Sequence, residues 1–291
     1  MHKDCIQCDI KQSDKIKKML SLDSEKECQL NEIIASYLKT VDMRKTNPEV
    51  MGELWSKISE YLGNQDPYKS IKTYYNLELM KYENHISNLI YNSSDKFKTA
   101  LKISIVGNLI DFSSNHTFDI NTLLEMIDNI LNNDLAIDDS LSLFNELKEA
   151  KNVLYLADNC GEIVLDKIFI RHIKKLFPKI NVYYGVRGAP IVNDVTLEDA
   201  KQVNMQEVAT IISNGDIALG TVLNHTSFAF RNIFDNSDVI ISKGQGNYEG
   251  LLGNNKKNLF FLFMAKCNLI ASPLHIPKLS IICMQNKKKR G

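Results

Sequence analysis

The chain has 291 residues, enough for one large or two modest domains with a substantial core. Its 44% hydrophobic and 24% charged residues are ordinary globular values, which argues against fibrous, disulfide-scaffold and disordered proteins. Because 35 basic residues balance 35 acidic ones, a nucleic-acid binder of the strongly basic kind is disfavoured.

The sequence also bears on membrane contact and redox compartment. No run reaches the ~18 consecutive apolar residues of a membrane span, and the first residues lack the apolar core of a secretory signal. The six cysteines are too few for a disulfide framework. We therefore expect a cytoplasmic protein with no membrane partner. The pair Cys5-x-x-Cys8 is at most half of a metal site, so by itself it does not favour a bound ion.

The two halves of the chain differ in charge and in glycine content. Residues 1–150 hold 24 acids and 17 bases (net −7), and residues 151–291 hold 11 acids and 18 bases (net +7). Ten of the 13 glycines follow residue 150. In the first half the apolar residues recur at i, i+3, i+4 and i+7, as in Leu30, Ile33, Ile34, Tyr37 and Leu38. This pattern predicts an α-helical domain over residues 1–150.

After residue 150, short β-rich runs alternate with helical stretches. Strands are predicted at 152–157, 181–186, 208–213, 238–242, 258–263 and 279–283, and helices at 162–177, 198–204 and 227–235. This alternation predicts an α/β domain over residues 151–291, a Rossmann-like, mainly parallel sheet flanked by helices. In such sheets the ligand lies beyond the carboxyl ends of the strands.

Polar clusters follow three of the predicted strands. They are Asp158-Asn-Cys-Gly-Glu162, Arg187–Thr196 and Ser242–Glu249. Together they offer Asp158, Asn159 and Asp194 as hard oxygen ligands, the cation of Lys243, and glycine-flanked amides. Oxygen ligands of this kind suit Mg²⁺ or Mn²⁺ beside a phosphate group. Each cluster alone is better interpreted as a turn or a helix cap, and it is their recurrence at successive strand ends that favours a site.

Other catalytic patterns are absent from the sequence. There is no Walker loop, GxGxxG fingerprint, G-x-S-x-G elbow or paired-histidine motif. Cys160 has acidic neighbours that would not activate a thiol, so it is interpreted as a packing residue.

The same blocks resemble the signature motifs of the metal-dependent damage-control phosphatases (domain of unknown function 89), in their compact prokaryotic branch. The likeness covers Asp158-Asn159-x-Gly-Glu162, Gly188-x-Pro-Ile-x-Asn193-Asp194-Val-Thr196 and Ser242-Lys243-Gly-Gln-Gly-Asn247. It extends to Asp66–Lys72, to Gly107–Phe112, to Cys5-x-x-Cys8 with Gln12, and to Lys266-Cys267. Cys160 is one departure, because many relatives have alanine there.

The resemblance implies a phosphatase for small phosphorylated metabolites, such as sugar phosphates, that uses Mn²⁺, Co²⁺, Ni²⁺ or Mg²⁺. Asp158, Asn159 and Asp194 would hold the metal, and Asp158, Asp194 and Lys243 would be catalytic. Phosphate or substrate would contact the residues of the strand-end loops, namely Asp158, Asn159, Glu162, Ser213, Asn214, Gly215, Lys243 and Asn247.

Several questions stay open at this point. The attacking group is either a water molecule or the Asp158 carboxylate. The alternatives are a phosphometabolite-binding protein without turnover and, less favoured, a carboxyl methyltransferase. Asp66, Lys69, Asn108 and Asp111 either brace the α/β core or line the pocket from the helical side.

Overall fold

The computed structural model describes residues 1–64, 66–107 and 120–287 of the chain. Asn108 and Asp111 lie outside the described residues. The helices before residue 150 are α1 Lys3–Met19, α2 Ser24–Lys39, α3 Asn47–Leu62, α4 Lys69–Met80, α5 Glu83–Asn92, α6 Lys96–Val106, α7 Ile120–Asn132 and α8 Ser140–Glu149.

The bounds of helix α3 illustrate how local chemistry sets these elements. The Thr46 side chain and the Glu49 side chain cap each other's backbone N–H groups at its start, and Pro48 occupies its first turn. The helix ends at Leu62 and is followed by the capping residue Gly63, whose φ of 61° lies in the left-handed region that glycine adopts without strain.

Seven strands form one sheet with the order β1-β7-β6-β5-β2-β3-β4. All neighbouring pairs are parallel except β6 and β7, which are antiparallel. The strands are β1 Ile137–Asp138, β2 Asn152–Leu156, β3 Asn181–Val186, β4 Thr210–Ser213, β5 Val239–Lys243, β6 Leu259–Met264 and β7 Ile281–Gln285. The helices among them are α9 Glu162–Leu176, α10 Leu197–Gln202, α11 Phe228–Asn236, α12 Gly244–Gly250 and α13 Asn268–Ala271, with short 3₁₀ turns at Met205–Glu207 and Ser272–Leu274.

The predicted Rossmann-like α/β fold with a helical amino-terminal part is confirmed. Each predicted strand occurs within two residues of its expected bounds. The sequence did not predict β1, which lies before residue 150 and pairs with β7. Nor did it predict α12, because the glycines of Gly244–Gly250 read as a loop.

The core lies on both faces of the sheet because side chains alternate along each strand. On β2, Val153 and Tyr155 pack in the large cluster with α5–α9, whereas Leu154 and Leu156 pack in the cluster on the opposite face. The larger cluster includes residues from both sides of position 150. A third cluster joins α1–α4 to Ile191 and Val192 of the loop after β3.

The topology brings three loops to one place. The chain runs from β2 outward through β3 to β4 and then returns to β5 on the other side of β2. The carboxyl ends of β2, β3 and β5 therefore surround a topological switch point, where open α/β sheets bind ligands. None of the described helices combines the length and apolar character needed to span a membrane.

Candidate active site

A cavity of about 330 Å³ lies at the carboxyl ends of the strands. On the sheet side its wall contains Asp158, Asn159, Val192, Asn193, Asp194, Leu219, Gln245, Gly246, Glu249 and Lys266. The opposite wall comes from α1, the start of α3 and the turn before α4, and contains Cys8, Asp9, Gln12, Lys15, Asn47, Pro48, Met51 and Tyr68. The helical part thus closes the cavity over the strand ends.

The structure brings together all three predicted metal ligands. Asn159 and Asp194 pair as an isolated β-bridge between the loops after β2 and β3. The Val195 amide donates to the Asp158 carbonyl over 2.9 Å, and the Cys160 amide donates to the Asn193 carbonyl over 2.9 Å. These bonds hold the two loops side by side, so Asp158, Asn159 and Asp194 all line the cavity.

The Asp158 carboxylate is buried next to other acidic side chains. It is only 8% exposed, and Asn159 Nδ2 donates to its Oδ2 over 2.6 Å. Burial, followed by the charges of Glu162 and Asp194, raises the pKa of Asp158 well above its usual range, against the opposing effect of Lys266 and Arg187. A bound cation would offset this charge, so the carboxylates fit a divalent metal chemically.

Asp194 is held by a buried arginine. Arg187 Nε donates to Asp194 Oδ2 over 2.6 Å, and both side chains are 2% exposed. Burial raises the pKa of Asp194, while the Arg187 guanidinium lowers it. In the described part of the chain, no three His, Cys, Asp or Glu side chains are arranged to hold a metal. The candidate ligand set is therefore two carboxylates and the Asn159 amide.

Lys243, predicted to contact phosphate, has a different position. Its ammonium group is fully buried and is not among the groups that line the cavity. It donates to Glu162 Oε1 over 2.7 Å, to Asp166 Oδ1 over 2.6 Å and to the Ser104 carbonyl over 2.7 Å. An ammonium group has three donors, so this arrangement uses all of them. Glu162, predicted to bind substrate, is likewise fully buried in this ion pair.

The buried network around Lys243 continues through Asp166. Tyr155 and Tyr184 donate their hydroxyls to the Asp166 carboxylate over 2.6 and 2.9 Å. Burial raises the pKa of Asp166 to about 6, although Lys243 opposes the shift. Burial alone would lower the pKa of Lys243, but Asp166 and Glu162 raise it, so the lysine stays charged. The network lies beneath the loop of Asp158 and Asn159 and joins β5 to α9.

Asn247 is also a buried bracing residue. Its Oδ1 accepts from Arg187 Nη1 over 3.1 Å and from Thr221 Oγ1 over 2.7 Å, and its Nδ2 donates to the carbonyls of Ala157 and Lys243. These bonds orient the arginine that holds Asp194. Asn247 does not line the cavity, and its contact with substrate stays a prediction.

The predicted substrate loop Ser213-Asn214-Gly215 is not part of the cavity wall. Ser213 Oγ accepts from the Gly215 amide over 3.1 Å, and Asn214 Oδ1 accepts from the Asp216 amide over 2.9 Å. The loop is therefore organised as a turn by its own side chains. Leu219, a few residues later, reaches the cavity instead.

Helix α4 braces both loops that carry the predicted ligands. Asn76 Oδ1 accepts from the Gly161 amide over 2.6 Å, three residues after Asp158. One turn earlier, Lys72 pairs with Asp66 over 2.8 Å and with Asp199 over 2.9 Å. Asp199 in turn caps α10, close after Asp194. Asp66 thus braces the core, while Lys69 makes an exposed ion pair with Glu198 over 2.9 Å.

Four charged residues of the cavity wall received no role from the sequence: Asp9, Lys15, Glu249 and Lys266. Lys266 follows β6, and its place in the Lys266-Cys267 motif was the available signal. Nothing in the sequence singled out Asp9, because its carboxylate reaches the cavity only when α1 packs over the strand ends. Gly107, the one described residue of its predicted block, packs tightly on Glu162, since a Cβ there would lie 2.4 Å from Glu162 Cβ.

The titration of Asp9 makes stability depend on pH. Burial and then the charge of Glu249 raise the pKa of Asp9 to about 7, while a hydrogen bond from Asn47 lowers it. The folded state thus holds this proton more tightly than the unfolded chain, so Asp9 costs stability as pH rises from about 4 to about 7, by up to about 4 kcal/mol. Asp9→Asn should raise the melting temperature at pH 8 more than at pH 5.

Thermal melts of both proteins at the two pH values test this prediction, with Asp4→Asn, an exposed change on the same helix, as the control. An equal difference between wild type and Asp9→Asn at pH 5 and pH 8 would contradict it.

The fold and the cavity define an α/β protein of Rossmann type with a cavity lined by carboxylates at the switch point of its sheet. The chain belongs to the damage-control phosphatase family: the family model described as "Damage-control phosphatase ARMT1-like domain" matches residues 1–280.

Individual relatives agree with this assignment. The chain is 34% identical over 288 residues to the damage-control phosphatase PH1575 of Pyrococcus horikoshii, covering 98% of both chains. It is 31% identical over 235 residues, 80% of each chain, to a damage-control phosphatase of Archaeoglobus fulgidus. The crystal structure of a DUF89 family protein from Pyrococcus horikoshii superposes with a TM-score of 0.90 at 33% identity, covering 99% of both chains.

Proposed function

We propose that this protein is a metal-dependent phosphatase that hydrolyses small phosphorylated metabolites in the cavity at the strand ends. The observation that carries the proposal is the convergence of Asp158, Asn159 and Asp194 on one cavity that also contains Lys266. The names of the relatives support phosphate-ester hydrolysis as the reaction. The cavity volume of about 330 Å³ suits a small metabolite.

Asp158, Asn159 and Asp194 would hold the divalent metal, Mn²⁺, Co²⁺, Ni²⁺ or Mg²⁺. When bound, such a metal polarises the phosphoryl oxygens and offsets the charge that develops on them. The raised pKa of Asp158 supports this role, because the site favours a compensating positive charge.

The protein's own residues would position the ester. Arg187 fixes the Asp194 carboxylate by donating to its Oδ2, and Asp194 lines the cavity. Lys266 would attract and orient the phosphate, since it is the lysine on the sheet side of the cavity and its charge acts on Asp158. The attacking oxygen is either water or Asp158 itself, and both are compatible with these positions.

The proposal is tested with the purified full-length protein, stripped with EDTA and then assayed on p-nitrophenyl phosphate. We expect phosphate release only after Mn²⁺, Co²⁺, Ni²⁺ or Mg²⁺ is restored. Release that persists in EDTA would overturn the metal assignment. If no metal restores release but phosphorylated metabolites still bind, the protein is a binding module without turnover.

Asn76 is expected to act as a positioning residue for this site. Asn76→Ala removes the acceptor of the Gly161 amide, and we expect a cost of about 1–3 kcal/mol in stability. Because that amide holds the loop of Asp158 and Asn159, the affinity for Mn²⁺ should fall by about tenfold, the range typical of residues that orient metal ligands.

Calorimetric titration with Mn²⁺, together with thermal melts, measures both effects. Asn88→Ala, an exposed asparagine change on α5, is the matched control. If the Mn²⁺ affinity of Asn76→Ala equals that of the control, helix α4 does not position the ligands.

A further inference from the structure

The cavity wall opposite the strand ends contains two hydrogen-bond acceptors without donors among the described residues. Asp9 is 1% exposed, and in that part of the chain nothing donates to its Oδ2 or to the buried Oδ1 of Asn47. Both residues line the cavity. Buried polar atoms in native proteins are nearly always paired, so these two oxygens point to a ligand that donates hydrogen bonds.

Negative charge accompanies these acceptors. Glu249 of α12 lines the same cavity, and its charge is felt by Asp9. The Gln245 amide donates to Glu249 over 2.7 Å. Among the described residues, neither Asp9 nor Glu249 forms a salt bridge. We call Asp9, Asn47 and Glu249 the acceptor wall.

Two members of the acceptor wall, Asp9 and Asn47, come from α1 and α3, across the cavity from Asp158, Asn159 and Asp194 at the strand ends. The third member, Glu249 of α12, lies on the sheet side, and its charge acts on Asp9. A phosphate ester held at the strand ends therefore presents its other end to the acceptor wall.

We infer that the acceptor wall selects phosphate esters by the end opposite the phosphate, accepting hydroxyl groups and rejecting carboxylates. The inference rests on the proposed phosphatase function. A hydroxyl can donate to Asp9 Oδ2 or to Asn47 Oδ1 and so complete their hydrogen bonding. A carboxylate has no donor to offer and would meet two like charges in a buried setting.

The test compares glucitol 6-phosphate with 6-phosphogluconate, two open-chain esters that differ only at the carbon farthest from the phosphate. The first carries a hydroxyl group there and the second a carboxylate. In the wild type we expect kcat/KM to favour glucitol 6-phosphate by about 100-fold or more. At pH 8, above the pKa of about 7 of Asp9, the ratio should shrink by about tenfold in Asp9→Asn and in Glu249→Gln, because each change removes one negative charge. Asp4→Asn on the same helix is the control and should keep the wild-type ratio.

Equal kcat/KM for the two esters in the wild type would overturn the inference. A ratio of the two kcat/KM values that stays unchanged in both Asp9→Asn and Glu249→Gln would also overturn it. The failure of the underlying function is recognised separately, because p-nitrophenyl phosphate has neither a hydroxyl nor a carboxylate at its far end. If p-nitrophenyl phosphate is not hydrolysed with any metal, the phosphatase proposal fails. The ratio of the calorimetric affinities for the two esters then replaces the ratio of kcat/KM as the test of the acceptor wall.

Discussion

Asp158→Asn is expected to lower kcat/KM for phosphate release by about 10³-fold or more, because it removes a charge that the proposed metal and the transition state both require. The same change should make the metal-free protein more stable. The pKa of Asp158 is raised well above its usual range by burial and by Glu162 and Asp194, so its ionised form costs folding free energy. An activity loss combined with a higher melting temperature is a signature that general misfolding cannot produce.

Asp235→Asn provides the control, because Asp235 lies exposed on α11 and its carboxylate makes, among the described residues, only a long contact of 3.7 Å with Lys256. It should leave kcat/KM and melting temperature near the wild-type values. Full activity in Asp158→Asn would remove Asp158 from the proposed site, and a lower melting temperature would contradict the electrostatic account of its burial.

Lys243→Met should destabilise the protein by about 3–5 kcal/mol, because it leaves Glu162 and Asp166 buried without their cation. Lys266→Ala should affect substrate binding and not stability. Lys266 is exposed at the cavity edge, so its loss should leave the melting temperature unchanged while it raises KM by about tenfold through the missing charge. The pair of variants separates a lysine that holds the core from one that meets the substrate.

Adding Asp166→Asn to Lys243→Met sharpens this test, because it removes one of the two uncompensated charges and should recover part of the lost stability. Urea unfolding and steady-state kinetics on all four proteins are the measurements. If Lys243→Met keeps the wild-type stability and changes only KM, Lys243 contacts phosphate as the sequence predicted, and the buried ion pair does not describe its role.

Much of the fold was predictable because it depends on local periodicity. The alternation of side chains in β2, from Val153 to Leu156, and the cap and glycine that bound α3 are visible in short stretches of sequence. Strand β1 was not predictable, because two residues carry no periodic signal and the strand exists only through its pairing with β7. Helix α12 was missed because packing overrides the low helix propensity of its three glycines.

The sequence also placed Asp158, Asn159 and Asp194 at one edge of the sheet, because residues that follow parallel strands must meet there. It could not assign the lysines. Lys243 forms ion pairs with Glu162 and Asp166 on α9. It also donates a hydrogen bond to the carbonyl of Ser104, which lies 139 residues earlier in the chain. Whether a charge is buried and paired, or left to face a ligand, depends on such distant partners.

Sequence by itself determined the class of fold and which polar residues stand at the strand ends, since both follow from the order of residue types along the chain. Tertiary structure alone decided which charges remain available in the cavity. Asp9 and Asn47 lie on helices that the sequence described only as core elements. Their oxygens, which lack donors among the described residues, reach the cavity because α1 and α3 pack across the sheet edge. The physical reason is that hydrogen-bond satisfaction and desolvation depend on all the neighbours of an atom, and most of those neighbours are remote in sequence.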